Sequence, residues 1–188
     1  MAQALPSMRD ALVEAIPRLR AFALALCHDP TQADDLVQET LVKAWNAREN
    51  FDRGTNLKAW LFTILRNTFF SEHRKRRYRI SYRESLDASS QWRHPEQDSH
   101  LALQEFLAAL AKLPPDQREA LLLVGAEGFS YEEAGAISGC AVGTIKSRVN
   151  RARRRLCDLL HISEADTFGP DAQFDAVLAR AAAQARRT

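Results

Sequence analysis

The chain has 188 residues, of which 46% are hydrophobic and 27% are charged. This length suits one ordinary domain or two small helical ones, and the composition is ordinary for a globular protein. The longest apolar runs, such as residues 21–27, are too short to cross a bilayer, and the first residues do not read as a secretory signal. We therefore expect a cytoplasmic protein that does not enter a membrane.

Cysteine and histidine spacing does not suggest a metal site. Cys27, Cys140 and Cys157 form no C-x-x-C pair, and no two histidines have the H-x-x-x-H spacing. The sequence also lacks a glycine-rich phosphate loop and a nucleophile elbow. We expect no metal, no cofactor and no small-molecule substrate, and an enzyme is the least favoured class.

The formal net charge of +2 hides a segregation of charge along the chain. Residues 74–83 hold six basic residues and no acidic one, and residues 142–155 repeat that count. Two separated basic blocks favour two local contacts with a polyanion, whereas two solvated helix faces are the simpler alternative.

Apolar residues recur at helical spacing almost throughout, so the sequence predicts an all-α fold. The first apolar stretch predicts one helix, or a pair broken near Pro17, that stops before Pro30. Thr31 or Asp34 is expected to cap the next helix, which runs to about residue 47. A long helix begins near Asn56 and ends near residue 77. The expected organisation is two small helical domains, 10–77 and 101–162, a flexible linker at 78–100 that lets them move independently, and an extension at 163–188 of unknown role.

The segment from Ser130 to Leu156 predicts a helix-turn-helix. Ser130 and Glu133 form a capping box, Gly139 ends a short helix, and a basic helix follows from about Val142 to Leu160. At ~100° per residue, one face of that helix is apolar. The opposite side carries residues that can reach base edges or phosphates, although a solvated helical hairpin is the alternative. These residues are Thr144, Lys146, Ser147, Arg148, Asn150, Arg151 and Arg154.

Four stretches in order, at residues 113–115, 117–120, 128–133 and 142–153, resemble the fourth conserved domain of bacterial RNA polymerase sigma factors. The resemblance implies that this domain reads the minus-thirty-five promoter element. It further implies that Lys146, Ser147, Asn150 and Arg151 read bases, and that Arg148 and Arg154 contact the DNA backbone.

Residues 34–45 resemble the second conserved domain of the same family. On a helix, Leu36, Val37, Thr40, Leu41, Ala44 and Trp45 form the packed stripe, and Asp35, Gln38 and Glu39 lie outside it. An acidic and polar face does not favour DNA, so by itself it predicts only a solvated surface. The resemblance implies that it binds the coiled coil of the polymerase's largest subunit, and the polymerase flap is a second expected contact of the chain.

The long helix has a core stripe and an opposite polar face. That face carries Thr63, Arg66, Asn67, Phe70, Arg74 and Arg77. Arginines among amide and aromatic groups suit single-stranded DNA, although Phe70 is as readily explained by burial under a neighbouring helix. The family string at residues 60–67 implies that this helix, with Asn50, Phe51 and Arg53 in the preceding loop, binds and melts the minus-ten element.

No third sigma domain is matched, which is typical of the extracytoplasmic-function (ECF) class. The string at residues 67–77 is similar to the alphaproteobacterial general-stress subgroup. That resemblance implies control by a small anti-sigma protein, which a response regulator with a sigma-like domain draws away. The main alternative is a sigma mimic that binds the anti-sigma protein without reading promoters, and a stand-alone helix-turn-helix repressor is a second one.

Overall fold

The computed structural model describes residues 7–52, 54–82 and 101–160, with side chains over 7–52, 54–75 and 105–160. All regular structure in these ranges is helical. The elements in chain order are α1 (Met8–Cys27), α2 (Pro30–Asn46), a 3₁₀ turn (Arg48–Asn50), α3 (Leu57–Tyr82), α4 (Leu101–Ala111), α5 (Pro115–Leu121), a π-helical turn (Leu122–Ala126), α6 (Tyr131–Ser138) and α7 (Val142–Leu160).

The junction between α1 and α2 differs from the sequence expectation in its cap. α1 passes through Pro17 without a break and ends at His28, whose φ of 56° is left-handed. α2 is capped by Asp29, whose carboxylate accepts from the Gln32 N–H at 3.0 Å, and not by Thr31 or Asp34. Pro30 explains the register, because proline suits the first helical position and leaves the residue before it extended.

Helices α1, α2 and α3 form an amino-terminal bundle. Its fully buried side chains include Leu19, Leu26, Leu36, Leu61 and Leu65. The helix α3 is longer than expected, since it continues to Tyr82 and so takes up residues 78–82 of the predicted linker. The remainder of that linker and residues 163–188 lie outside the described residues.

Helices α4 to α7 form a carboxy-terminal bundle, and here the helix-turn-helix expectation is confirmed. Ser130 and Glu133 make both hydrogen bonds of the capping box, and Gly139 ends α6 with a φ of 64°. Ile145, Val149, Ala152 and Leu156 are completely buried, and Val142 is half-buried. The apolar face of α7 therefore packs on α5 and α6 and turns its basic face outward.

The two bundles pack against each other, which differs from the expectation of independent domains. Their buried side chains form one continuous cluster, with the Phe62 ring 5.3 Å from the Phe129 ring across the boundary. Arg118 of α5 donates to the Leu26 carbonyl at 2.6 Å at the end of α1. We call this boundary between the bundles the seam.

None of the helices in residues 7–52, 54–82 and 101–160 has the length and hydropathy to cross a membrane. In the same ranges, no cluster of three or more His, Cys, Asp and Glu side chains is arranged to hold a metal ion.

The cap of α2 leads to a stability prediction. Asp29→Ala should lower the free energy of unfolding by ~1 kcal/mol, because the substitution leaves a backbone N–H of the first turn without its side-chain acceptor. Thr31→Ala is the matched control and should change stability little, since Thr31 is exposed and provides no cap. Urea unfolding followed by circular dichroism measures both. A larger loss in Thr31→Ala would contradict the assignment.

Candidate nucleic-acid interface

The turn between α6 and α7 holds the two helices close together. A Cβ added to Gly135 would lie 3.0 Å from the Cys140 carbonyl oxygen, so a larger residue there would push the turn away. The left-handed Gly139 reverses the chain, a conformation that glycine adopts without steric cost. These two glycines fix the angle at which α7 leaves the turn.

The outer face of α7 carries most of the predicted upstream-element residues in accessible positions. Lys146, Asn150, Arg151 and Arg154 are exposed, while Thr144 and Ser147 are half-buried. Arg151 is held in place, because its guanidinium donates to the Ser147 carbonyl at 3.2 Å and to the Ser147 hydroxyl at 3.0 Å. A guanidinium fixed on a helix face suits two-pronged recognition of a base edge. Lys146 lies over the Tyr131 ring of α6 at 5.6 Å.

Arg148 is placed differently from the other basic residues of α7. Its Nε lies 3.2 Å from the Asp116 carboxylate on α5, and only 21% of its side chain is exposed. Its Nη1 also lies 3.7 Å from the Cys140 sulfur. Arg148 therefore ties α7 to α5 and to the turn, and this pairing leaves it less accessible than Arg151 and Arg154.

On the polar face of α3, the structure describes the predicted side chains from Thr63 to Arg74. Asn67 and Arg74 are exposed, and Thr63, Arg66 and Phe70 are half-buried. Phe70 packs edge-on against Phe69 at 5.1 Å and carries the Arg66 guanidinium over its ring at 4.7 Å. Thr63 donates to the Ala59 carbonyl within α3.

The loop before α3 holds two of the predicted minus-ten residues. Asn50 ends the 3₁₀ turn and is exposed, and the Phe51 ring packs against the Trp60 ring at 4.9 Å. Arg53 lies outside the described residues, as does the side chain of Arg77. Asn56 caps α3 by accepting from the Ala59 N–H at 3.2 Å.

Asp35 and Gln38 are exposed on α2 as expected, but Glu39 is not fully outside. Its carboxylate lies 2.6 Å from the Lys43 ammonium, and this hydrogen bond holds the pKa of Glu39 below its usual value. Burial raises the pKa of the neighbouring Glu72, and the Glu39 carboxylate adds to that increase. Glu39 therefore belongs to a cluster between α2 and α3.

Trp45 does not lie in the packed stripe of α2, so that expectation is wrong. It is 44% exposed, with the Arg48 guanidinium 4.8 Å over its ring, and Val42 is 59% exposed. Asp35, Gln38, Val42 and Trp45 share one face, because they are three or four residues apart in sequence. We call these four residues the α2 patch. The exposure of Val42 could have been predicted from the sequence, because Val42 falls outside the apolar stripe of α2.

Sequence reasoning also missed the charged residues of the seam. Arg66 pairs with Glu119 at 2.9 Å, and the Glu119 side chain is completely buried. Burial raises the pKa of Glu119, and the Arg66 charge opposes that increase. The sequence signal for these buried charges was the pair Arg118 and Glu119, which stands directly before the apolar run at residues 120–124.

Arg118 joins helix ends from both bundles. Besides Leu26, it donates to the carbonyls of Ala111 and Leu113. It also contacts the Nε2 of His28, whose pKa burial and the Arg118 charge lower to about 3. Burial lowers the pKa of Arg118 itself to about 10, so it remains charged at neutral pH. A cation at helix carboxyl ends opposes their negative dipoles.

Comparison with known protein families matches both bundles. Residues 12–79 match the family model of Sigma-70 region 2, and residues 103–156 match that of Sigma-70 region 4. The chain is also 56% identical over 172 residues to the ECF RNA polymerase sigma factor EcfG of Rhodopseudomonas palustris, covering 92% of this chain and 95% of that protein. The chain belongs to the ECF sigma factors.

Two solved structures help to decide between a sigma factor and a sigma mimic. The sigma factor RpoE of Bartonella quintana, solved with the anti-sigma factor NepR, is 52% identical, with a TM-score of 0.75 over 83% of this chain and 98% of that one. The anti-anti-sigma factor PhyR from the same organism is 19% identical, with a TM-score of 0.52 over 81% of this chain and 50% of that one. The second likeness shows a shared fold only. The identity therefore favours the sigma factors, in their alphaproteobacterial stress group, over the mimic.

Arg151 and Arg154, two of the exposed arginines of α7, should behave differently on substitution. If Arg151 reads a base edge, Arg151→Ala should reduce discrimination among altered upstream elements by ~1–3 kcal/mol. If Arg154 contacts phosphate, Arg154→Ala should weaken binding to all sequences similarly and lower the salt slope by about 1. Fluorescence anisotropy with duplex variants at several salt concentrations measures both. Unchanged discrimination in Arg151→Ala would contradict the base-reading assignment.

Proposed function

We propose that this ECF sigma factor binds core RNA polymerase in the cytoplasm and directs it to the promoters of stress-response genes. It acts as a binding factor and catalyses no reaction itself. Residues 10–77 form the part that binds polymerase and the minus-ten element, and residues 101–162 form the part that reads the minus-thirty-five element. A small anti-sigma protein holds the factor inactive when the stress is absent.

One observation carries the promoter-reading role: regions 2 and 4 occur in order in one chain, and the region 4 part presents a basic helix face. Lys146, Asn150, Arg151 and Arg154 stay accessible on that face while the apolar side of α7 is buried. A protein that only bound an anti-sigma factor would not require a cationic helix face suited to a DNA groove. Such a face is the usual electrostatic footprint of a DNA-binding helix.

The α2 patch supports the polymerase-binding role. The acidic and apolar side chains of this patch make DNA an unsuitable partner, because phosphates repel carboxylates. An exposed tryptophan beside polar and charged residues is the usual make-up of a protein-binding surface, where aromatic side chains supply most of the affinity. We therefore assign the coiled coil of the largest polymerase subunit to this patch, and the polymerase flap to the carboxy-terminal bundle.

Control by an anti-sigma protein is supported by the structural relative. RpoE of Bartonella quintana, which shares 52% of its residues with this chain, was solved in complex with an anti-sigma factor. The described chain has surfaces that such an inhibitor could cover, above all the α2 patch and the outer face of α7. Covering either one would block a step of initiation.

Run-off transcription tests the proposal. The wild-type chain, added to core polymerase from Rhodopseudomonas palustris with a library of promoter fragments, should give discrete transcripts. Asp35→Lys should abolish both the transcripts and co-purification with core enzyme, because a reversed charge repels a complementary surface. Glu14→Lys, the same charge change on an exposed position of α1, is the matched control and should behave as wild type.

Absence of any transcript with the wild-type chain would contradict the proposed function. Wild-type co-purification of Asp35→Lys would contradict only the role of the α2 patch. Circular dichroism of both variants shows that each one is folded.

A further inference from the structure

Two cations on the outer side of α7 are held by uncharged groups. The Arg151 guanidinium donates to the carbonyl and the hydroxyl of Ser147, and the Lys146 ammonium lies over the Tyr131 ring at 5.6 Å. An uncharged partner restrains a side chain without cancelling its charge. Arg151 and Lys146 therefore present their full charge to a phosphate or to a base edge.

Arg148 is held by a carboxylate instead. Its Nε lies 3.2 Å from Oδ2 of Asp116 on α5, and the exposed fraction of the side chain is 21% for Arg148 and 44% for Asp116. The Nη1 of Arg148 contacts the Cys140 sulfur in the turn before α7. Because the two opposite charges lie side by side and partly out of water, they largely cancel for a phosphate farther away.

Arg148 lies on the flank of the face that carries the predicted base readers. At 3.6 residues per turn it is about 60° around the helix from Arg151. Arginines on the flank of a groove-inserted helix are long enough to reach phosphates, and such contacts position a protein without reading sequence. A guanidinium released from Asp116 would therefore gain a phosphate contact on DNA of any sequence.

The ion pair has opposite effects on nonspecific and specific binding. Each additional phosphate contact strengthens nonspecific binding and steepens its salt dependence. In a specific complex the same pair also ties α7 to α5 and to the turn, and this tie orients the side chains that read bases. Release of Arg148 thus adds affinity for all DNA and loosens the orientation that only specific binding requires. The specificity ratio falls as a result, and that ratio decides promoter choice among many competing sites.

The local structure leaves the Asp116 carboxylate available for this purpose. α5 begins after Pro114 without a side-chain capping hydrogen bond, so Asp116 does not cap the helix. Its position in the first turn is nonetheless favourable, because a carboxylate there opposes the helix dipole. The carboxylate is directed at Arg148 from a fixed place on α5.

We propose that Asp116 is a positioning residue that determines specificity: it withholds the Arg148 charge from DNA phosphates and weakens binding to nonspecific DNA. This inference rests on the proposed promoter-reading role of α7. It gives Arg148 a different part from the backbone contact that the family pattern implies, since Arg148 orients α7 while Asp116 holds it. Repulsion of unwanted partners is a common source of specificity, and here a carboxylate provides it by occupying a cation.

Asp116→Asn on the full-length chain tests the proposal, because it removes the charge and keeps the size of the side chain. Asp158→Asn is the matched control, since Asp158 is an exposed carboxylate on α7 itself. Fluorescence anisotropy is measured with a random-sequence duplex and with a duplex that the wild-type chain selects from a random library. Salt concentrations from ~50 to ~200 mM give the salt slope. Circular dichroism shows which variants are folded.

Asp116→Asn should bind the random duplex about threefold more tightly than the control at low salt, with a salt slope steeper by about 1, because one more phosphate is neutralised. Its affinity for the selected duplex should rise less, so the specificity ratio falls. Asp116→Glu retains the carboxylate and should restore the wild-type ratio. Asp116→Ser carries the test if Asp116→Asn does not fold.

The dependence on Arg148 is tested in an Arg148→Gln background. Asp116→Asn should give no more than the control's gain there, because no guanidinium remains to reach a phosphate. A larger gain in that background overturns the proposal. So does a folded Asp116 variant that binds the random duplex no more tightly than the control, which is the result for an ion pair with a structural role alone. Run-off transcription by the wild-type chain reports separately on the proposed function, since affinity for a random duplex requires no polymerase.

Discussion

The contact on which the described arrangement depends is the buried Arg118 guanidinium, which lies where the carboxyl ends of α1 and α4 meet. It donates to carbonyls of Leu26, Ala111 and Leu113, which belong to both bundles. The last carbonyls of a helix have no partner within it, so burying them requires a donor from elsewhere. Hydrogen bonds to a charged group contribute about 1.5–3 kcal/mol each, and a buried carbonyl left without one costs a similar amount. Arg118 thus allows helix ends of both bundles to be buried together at the seam.

Because the seam is closed in this way, α3 has two possible partners. Lys58, Phe62 and Arg66 contact the carboxy-terminal bundle. The polar face of α3, which is proposed to bind DNA, includes the same Arg66. The basic face of α7 is not part of the seam, so the two proposed DNA contacts differ: the upstream one is open in the free chain, and the minus-ten one is partly covered.

Local features were predictable from the sequence where local chemistry determines them. The capping box at Ser130, the turn at Gly139 and the apolar face of α7 depend on residues within a few positions of one another. The cap at Asp29 was missed because Thr31 and Asp34 are also capping residue types, and only the backbone at Pro30 selects among them. Trp45 was misplaced because it lies at the edge of the apolar stripe, where the tertiary neighbours determine burial.

The seam could not be predicted, because its contacts join residues 53 to 92 positions apart. Helical periodicity indicates which face of a helix is buried but not which helix covers it. Glu119 and Arg118 illustrate the limit: charged residues beside an apolar run indicate a buried polar contact, but their partners lie in the other bundle. The proposed DNA and polymerase residues were found by family pattern, and the structure adds that Arg66, Arg148 and Glu39 are already paired within the chain.

Pulsed dipolar spectroscopy across the seam tests the central claim most directly. Spin labels on Val13→Cys in α1 and Arg155→Cys in α7, with Cys27, Cys140 and Cys157 replaced by alanine, report the separation of the bundles. The account predicts one narrow, short distance distribution in the free chain. A broad distribution in the free chain would contradict it.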